Sequence, residues 1–132
     1  KGKMSLQSIR EHLLSVSKEE RTRILNLNPS YVFFLKAEEA NITSFGMSAQ
    51  PGRSIATDPK YFPKGALAFL EYPALEGDAA GGSRFVFDHD TGGAIRGPGR
   101  VDLFWGVGPK AQEVSGRMHG DGKLIYFIPR GK

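Results

Sequence analysis

Three aspartates stand where short apolar segments meet glycine- or proline-rich turns: Asp58, Asp90 and Asp102. A carboxyl group can act as a general acid or base, but Asp-Pro and Asp-Thr-Gly-Gly segments more often form turns. Asp102 differs because it lies inside the apolar and aromatic run 101–105. Burial there favours a protonated carboxyl, as a general acid requires, whereas a strand that alternates outward places Asp102 on the solvated face. Spacing alone leaves both readings open.

The sequence gives no pattern typical of a metal or redox centre. Cysteine is absent, which excludes disulfides, thiolate zinc sites and cysteine nucleophiles. The three histidines have no partner ligands at metal-binding spacing; they are His12, His89 and His119. His89 stands between two aspartates, but neighbours along a strand point to opposite faces. We therefore expect no metal and no cofactor.

The elements that must position the aspartates are mostly short strands. Apolar alternation and turn residues predict strands at 31–35, 53–57, 66–72, 84–88, 94–96, 100–105 and 124–128. Residues 77–83 read as a glycine-rich loop, and the 17 glycines in the chain favour a β-rich body. Serine caps predict helices at 5–15 and 18–27, and Pro109 starts a third that ends near Gly120.

Composition is that of an ordinary globular domain, with 39% hydrophobic and 24% charged residues among 132. A net charge of +4 favours an anionic partner or marks a mildly basic protein. Lys and Arg are scattered, so we expect no nucleic-acid binding. No apolar run is long enough to span a bilayer. The start at Lys1-Gly2-Lys3 leads us to expect that the chain begins inside a longer precursor.

Five segments of the chain resemble the membrane-bound lytic murein transglycosylase A family, in the family's order. They are SLQSIR (5–10), NPSYVFF (28–34), GRSIATD (52–58), DTGGAIRG (90–97) and DLFWGVGP (102–109). The resemblance implies a mainly β fold with short helices. Residues 31–132 would form a three-aspartate (3D) domain, a double-psi β-barrel of the barwin and endoglucanase kind. Residues 1–30 would be a helical lead-in packed on the barrel.

The resemblance implies a peptidoglycan lytic transglycosylase. Such an enzyme cuts the β-1,4 bond between N-acetylmuramic acid and N-acetylglucosamine and leaves a 1,6-anhydromuramic acid end. Asp102 matches the catalytic acid/base, and Asp90 and Asp58 match supporting aspartates. One carboxyl suffices because the sugar's own C6 hydroxyl is the nucleophile. The alternative is a non-catalytic glycan-binding barrel of the cell envelope, like the expansin-type relatives of this fold.

Substrate-binding residues are expected beside the aspartates: Thr91, Gly92, Gly93, Arg96 and Trp105. Trp105 can stack on a sugar or lie in the core, and Arg96 can meet a carboxylate or lie solvated on the surface. The two glycines can admit substrate close to the backbone or allow a tight crossing of the barrel. Tyr31, Phe33 and Phe34 are expected in the core.

The expected partners are peptidoglycan glycan strands and the N-terminal part of a longer enzyme. That part, absent here, contributes to the same barrel and carries a second domain that forms the other wall of the groove. A membrane is expected only through an anchor that this chain lacks, with the full-length protein in the periplasm at the outer membrane. A groove with one wall binds a polymer poorly, so we expect the chain alone to be weakly active or inactive.

Overall fold

The protein is mainly β-sheet with three short helices. The computed structural model describes residues 5–31, 33, 36, 41–73 and 82–131. The helices are α1 (Leu6–Ser15), α2 (Lys18–Leu25) and α3 (Pro109–Arg117). The strands are β1 (Ser54–Ala56), β2 (Ala66–Glu71), β3 (Ser83–Asp90), β4 (Asp102–Leu103) and β5 (Lys123–Tyr126). The chain divides into two compact units, residues 1–37 and 38–132.

The first unit contains α1 and α2, as the serine caps predicted. The Ser5 hydroxyl accepts a hydrogen bond from the Ser8 amide, and the Ser8 hydroxyl accepts one from the Ser5 amide. Ser17 caps α2 in the same way by accepting from the Glu20 amide. These caps satisfy amides that have no partner within the helix. The packing of this lead-in on the barrel stays a prediction.

The second unit is built on one five-stranded sheet of order β4-β1-β3-β2-β5. β1 pairs in parallel with β3, whereas the other neighbours are antiparallel. One face of the sheet holds the core, which consists of Ile55, Ala68, Leu70, Val86 and Leu103.

Four predicted strands are confirmed with different bounds: β1 and β2 are shorter than predicted, β3 is longer, and β5 begins one residue earlier and ends two residues earlier. The predicted strand 94–96 is wrong, because the Ile95 amide donates to the Gly92 carbonyl and closes a turn. The predicted strand 100–105 contracts to the two residues of β4. Helix α2 ends at Leu25, before the predicted residue 27, and α3 ends at Arg117.

Two sequence predictions fall largely outside the described residues. Within 31–35 the structure describes only Tyr31 and Phe33, which lie in no strand and are 86% and 87% exposed, so their predicted place in the core is wrong. Phe34 lies outside the described residues, as does the predicted loop 77–83 up to residue 81. In the described ranges, no helix is long and apolar enough to cross a membrane.

The face of the sheet opposite the core is aromatic and exposed. Phe85 packs edge-on against Phe69, with ring centroids 5.0 Å apart, and lies 5.8 Å from Phe127. Phe85, Phe87 and Phe127 are each about half exposed. Within the described residues the sheet is open, with β4 and β5 as its edge strands. An exposed apolar face of this size is typical of a surface that another part of a protein covers.

Candidate active site

The short strand β1 lies between two aspartates. Ala56 pairs with Asp90 of β3 on one side and with Asp102 of β4 on the other, and the register of β1 against β3 shifts between Ile55 and Ala56. Neighbouring strands in a sheet lie about 4.8 Å apart. The two aspartate backbones therefore stand about 10 Å apart across one small side chain. The methyl group of Ala56 leaves the space between them open.

This space is a cavity of about 400 Å³, which we call the aspartate cleft. Asp90 and Asp102 form opposite walls, and the apolar residues Ile55, Ile95 and Leu103 contribute to its lining. Such a mixture of apolar lining and a few convergent polar groups is typical of ligand sites. The remaining lining residues are Asn41, Ile42, Ala49, Ser54, Ala56, Thr91 and Phe104.

Asp90 is held rigidly by the backbone around it. Its Oδ1 accepts hydrogen bonds from the amides of Ser44 and Thr91, both at 2.9 Å. Amide donors to one oxygen fix the plane of the carboxylate and stabilise its charge. Asp90 is therefore an oriented negative charge on the β3 wall of the cleft.

Asp102 lies on the exposed side of β4. Its side chain is 45% exposed, and the adjacent Leu103 is buried. Of the two readings that the sequence left open, burial of Asp102 is wrong and outward alternation holds, because β4 is an edge strand on which Leu103 takes the inward position. Arg100 grips both carboxylate oxygens, from Nε to Oδ1 and from Nη2 to Oδ2, each at 2.9 Å. The hydrogen bond and the charge of Asp102 raise the pKa of Arg100.

Asp58 is buried outside the cleft and joins two loops. Its Oδ1 accepts from the Lys60 amide at 3.0 Å, and its Oδ2 accepts from the Gly97 amide at 2.8 Å. These backbone hydrogen bonds hold the pKa of Asp58 below its ordinary value. Because Gly97 precedes Arg100 and β4, Asp58 fixes the loop that carries Arg100 towards Asp102.

The residues of the Asp90 turn occupy different positions around the cleft. Thr91 lines the cleft. Gly92 packs closely against the lining residue Ile95, since a Cβ at Gly92 would lie 3.0 Å from Ile95 Cδ1. Gly93 faces open space. Arg96 is exposed and does not line either cavity found in the described part of the chain.

Trp105 lies in a second cavity, of about 360 Å³, on the other side of Asp102. Its indole Nε1 donates to Met118 Sδ at 2.9 Å, and the Arg84 guanidinium lies 5.0 Å from the ring centroid. The ring is half-buried against the core. Trp105 therefore packs against the core and also lines a cavity, and its stacking on a sugar stays a prediction.

Comparison with known proteins identifies the family of the chain. Residues 53–128, more than half of the chain, match the family model described as the 3D domain. The chain belongs to the 3D domain family. The matched segment contains all three aspartates and both strands that border β1. The resemblance indicated by the five sequence segments is thereby confirmed.

Curated relatives and solved structures agree with this assignment. The chain is 34% identical over 131 residues to membrane-bound lytic murein transglycosylase A of Escherichia coli, and 32% over 127 residues to that of Vibrio cholerae. The matches cover 94% and 92% of the chain but only 35% and 34% of the relatives. The chain therefore spans about a third of the length of the curated relatives it matches.

The fold is similar to that of solved lytic transglycosylases. The Escherichia coli MltA with bound chitohexaose superposes with a TM-score of 0.80 at 28% identity, over 93% of this chain and 38% of that one. The membrane-bound lytic murein transglycosylase of Agrobacterium tumefaciens gives 0.79 at 31% identity, over 96% and 36%.

The 3D domain also contains a buried polar network that the sequence analysis missed. Asp88 is fully buried on β3, and its Oδ1 accepts from Lys64 Nζ at 2.6 Å. Its Oδ2 accepts from the hydroxyls of Thr57 at 2.6 Å and Tyr126 at 2.5 Å. Burial and the hydrogen bond to Asp88 raise the pKa of Tyr126. The network joins the residue that follows β1 to strands β3 and β5.

The structure places His89 in the interior of the 3D domain. His89 is buried, and its Nε2 lies 2.7 Å from the Ser54 hydroxyl. In the part of the chain that the structure describes, no group of three or more side chains is placed to hold a metal ion. Ser54 lines the aspartate cleft, so His89 supports the β1 wall from behind.

Proposed function

We propose that this chain is the 3D-domain part of a peptidoglycan lytic transglycosylase that cuts the β-1,4 bond between N-acetylmuramic acid and N-acetylglucosamine. The observation that carries the proposal is the pairing of Asp90 and Asp102 with opposite sides of Ala56, in one open cleft. The similarity to an enzyme solved with bound chitohexaose supports a glycan as the occupant.

In this proposal Asp102 is the only acid and base. Protonated Asp102 donates its proton to the glycosidic oxygen as the bond to the muramic acid C1 breaks. The C6 hydroxyl oxygen of the same sugar bonds to C1, and its proton passes to the Asp102 carboxylate. The products are the freed glycan end and a 1,6-anhydromuramic acid end. Because nucleophile and carbon belong to one sugar, a second protein carboxyl is not needed as a nucleophile.

Asp90 has a supporting role in the proposal. Its fixed negative charge faces the cleft, where the breaking bond leaves positive charge on the sugar ring. Asp58 supports the site indirectly by holding the Gly97 loop. Neither residue is required to exchange a proton.

The proposed substrate contacts lie on both sides of Asp102. Thr91 lines the aspartate cleft and Trp105 lines the second cavity. Gly92 and Gly93, which follow Thr91 in the chain, are proposed to let the glycan approach the backbone there. A glycan strand that crosses Asp102 would place successive sugars in the two cavities. Arg96 is proposed to meet a substrate carboxylate only from outside the cavities, since it is exposed.

We propose that the sheet is part of a double-psi β-barrel. The half-exposed aromatic face of Phe85, Phe87 and Phe127 and the open edges β4 and β5 support this proposal. The remaining two thirds of the relatives' length supply a covering part of the enzyme. The relatives' name, membrane-bound, supports a location in the cell envelope, which we propose to be the periplasmic side of the outer membrane.

The test is product analysis on purified sacculi. Because the chain alone is expected to be weakly active or inactive, the parent in this test is the chain joined to the N-terminal part of the Escherichia coli relative. This parent is expected to release muropeptides with anhydro ends, detected by mass spectrometry, and Asp102→Asn is expected to release none. The matched control is Asp121→Asn, which changes an exposed aspartate outside both cavities and keeps parental yield. Equal yields from the parent and Asp102→Asn, or no anhydro ends from the parent, would contradict the proposal.

One observation favours a second function, a non-catalytic glycan-binding barrel. Arg100 occupies both oxygens of Asp102 in this structure, so neither is free to protonate a bond. A binding module would bind chitohexaose without releasing anhydro ends, and Asp102→Asn would leave sacculi unchanged. The same product analysis separates the two functions.

A further inference from the structure

The bidentate pair of Arg100 and Asp102 is at odds with the chemistry proposed for Asp102. A carboxyl that donates a proton must carry it on one oxygen, but a guanidinium on both oxygens favours the charged carboxylate. The third guanidinium nitrogen, Nη1, donates to the Ala94 carbonyl at 3.1 Å. Asp102 can therefore act as an acid only in a state in which Arg100 has moved away.

The guanidinium of Arg100 can exchange the carboxylate of Asp102 for another carboxylate. Both side chains are nearly half exposed, and exposed ion pairs are individually weak because water competes for each charge. The fork of a guanidinium fits any carboxylate in the same two-bond geometry. A carboxylate on an incoming ligand can therefore replace Asp102 as the partner of Arg100.

The charges around Asp102 leave Arg100 as the natural receptor for such an anion. Among the described residues that line the two cavities, Arg100 is the one Lys or Arg side chain. Asp90 and Asp102 repel an anion from the aspartate cleft, and His119 is the remaining basic side chain, in the second cavity. An anionic ligand that enters beside Asp102 thus meets Arg100.

We propose that Arg100 is a positioning and specificity residue that leaves Asp102 to bind a carboxylate of the glycan substrate. The proposal rests on the proposed function, because it assumes that Asp102 works as the acid. In the free protein Arg100 holds Asp102 in place as a carboxylate. When the substrate carboxylate takes the guanidinium, Asp102 is free to take a proton from water. A neutral glycan lacks the group that draws Arg100 away.

The test compares two glycans of equal length with the 132-residue chain. One is chitohexaose, which is neutral, and the other alternates N-acetylglucosamine with N-acetylmuramic acid that carries free lactyl carboxylates. Binding is measured by titration calorimetry or NMR. The parent is expected to prefer the charged glycan on the order of tenfold, as for a charge-assisted hydrogen-bonded pair. Arg100→Gln is expected to lose this preference.

Two further variants and one resonance complete the test. Arg100→Lys keeps the charge without the fork and is expected to retain part of the preference. Lys123→Gln removes one charge from β5, at the opposite edge of the sheet, and is expected to retain all of it. The Nε–H resonance of Arg100 in the parent should move with the charged glycan and not with chitohexaose. This resonance decides the question even if Arg100→Gln does not fold.

The proposal is overturned if the parent shows no preference, or if Arg100→Gln keeps the parental ratio. Its failure is separate from that of the proposed function, since the binding readouts need no turnover. A parent that releases anhydro ends but shows no role for Arg100 in selectivity removes only this inference. A parent that shows the Arg100 preference but never releases anhydro ends removes only the enzymatic function and leaves a carboxylate-reading glycan binder.

Discussion

Replacing Lys64 tests whether the buried network around Asp88 holds the 3D domain together. Lys64 Nζ donates to Asp88 Oδ1 and Thr57 Oγ1, both at 2.6 Å, and its side chain is 15% exposed against 0% for Asp88. Lys64→Met keeps the apolar stem but leaves a fully buried carboxylate without its cation. Thr57 and Tyr126 still donate to Asp88, so part of the charge remains satisfied.

The expected loss follows from this geometry. Removing one partner of a buried ion pair costs about 3–5 kcal/mol, and the remaining hydroxyl donors place Lys64→Met at the lower end. A loss of about 3 kcal/mol is a large part of the roughly 5–15 kcal/mol that stabilises a domain. For a unit of this size it lowers the melting temperature by roughly 12–24 °C.

The assay is urea unfolding followed by circular dichroism and by the fluorescence of Trp105, the only tryptophan. The matched control is Lys60→Met, an exposed lysine in the same turn, which should change the free energy of unfolding by less than about 0.5 kcal/mol. A Lys64→Met variant as stable as this control would refute the reasoning. A double variant with Asp88→Leu should be less destabilised than the sum of the single changes, because no unpaired charge remains.

Three further perturbations probe the same domain. The pKa of Tyr126 is raised in the folded state, so Tyr126 stabilises the fold below its ordinary pKa of about 10, and this stabilisation is lost as the pH rises above that value. Tyr126→Phe should therefore flatten the alkaline fall of the melting temperature. The pKa of Asp58 is lowered in the folded state, so Asp58 stabilises the fold above about pH 4, and this stabilisation is lost as the pH falls. Asp58→Asn should therefore lower the melting temperature at neutral pH and flatten its fall at acid pH. Ala56→Leu should fill the aspartate cleft and abolish chitohexaose binding, measured by calorimetry, while the melting temperature shows that the fold is kept. A steep alkaline fall in Tyr126→Phe, an unchanged fall at acid pH in Asp58→Asn, or parental binding by Ala56→Leu would each contradict the corresponding argument.

Local sequence signals predicted much of the fold. Apolar alternation marked β2 and β3, and the serine caps marked α1 and α2, because both depend on residues close in the chain. The error at 94–96 arose because a turn that buries Ile95 has the same apolar content as a strand. The order of the sheet, and the parallel pairing of β1 with β3, depend on contacts between distant segments that no local pattern encodes.

The candidate site was predicted in part. The family resemblance predicted Asp90 and Asp102 as site residues, but only the pairing of both with Ala56 shows why they line the same cleft. The sequence analysis did not predict that Arg100 pairs with Asp102, although residues two apart on an extended segment lie on the same face. Asp88 carried a similar signal, since it alternates with the buried Val86, whereas its partners come from other segments of the chain and could not be inferred.

In the proposed reaction one carboxyl suffices because the sugar attacks itself, although two carboxyl groups, of Asp90 and Asp102, line the cleft. Inverting hydrolases use a second carboxyl to activate water. The most direct measurement is mass spectrometry of sacculi digested in heavy-oxygen water by the chain joined to the N-terminal part of the Escherichia coli relative. The account predicts anhydro-ended products without heavy oxygen. Reducing ends that each carry one heavy oxygen atom would show attack by water, with Asp90 as a base, and would contradict it.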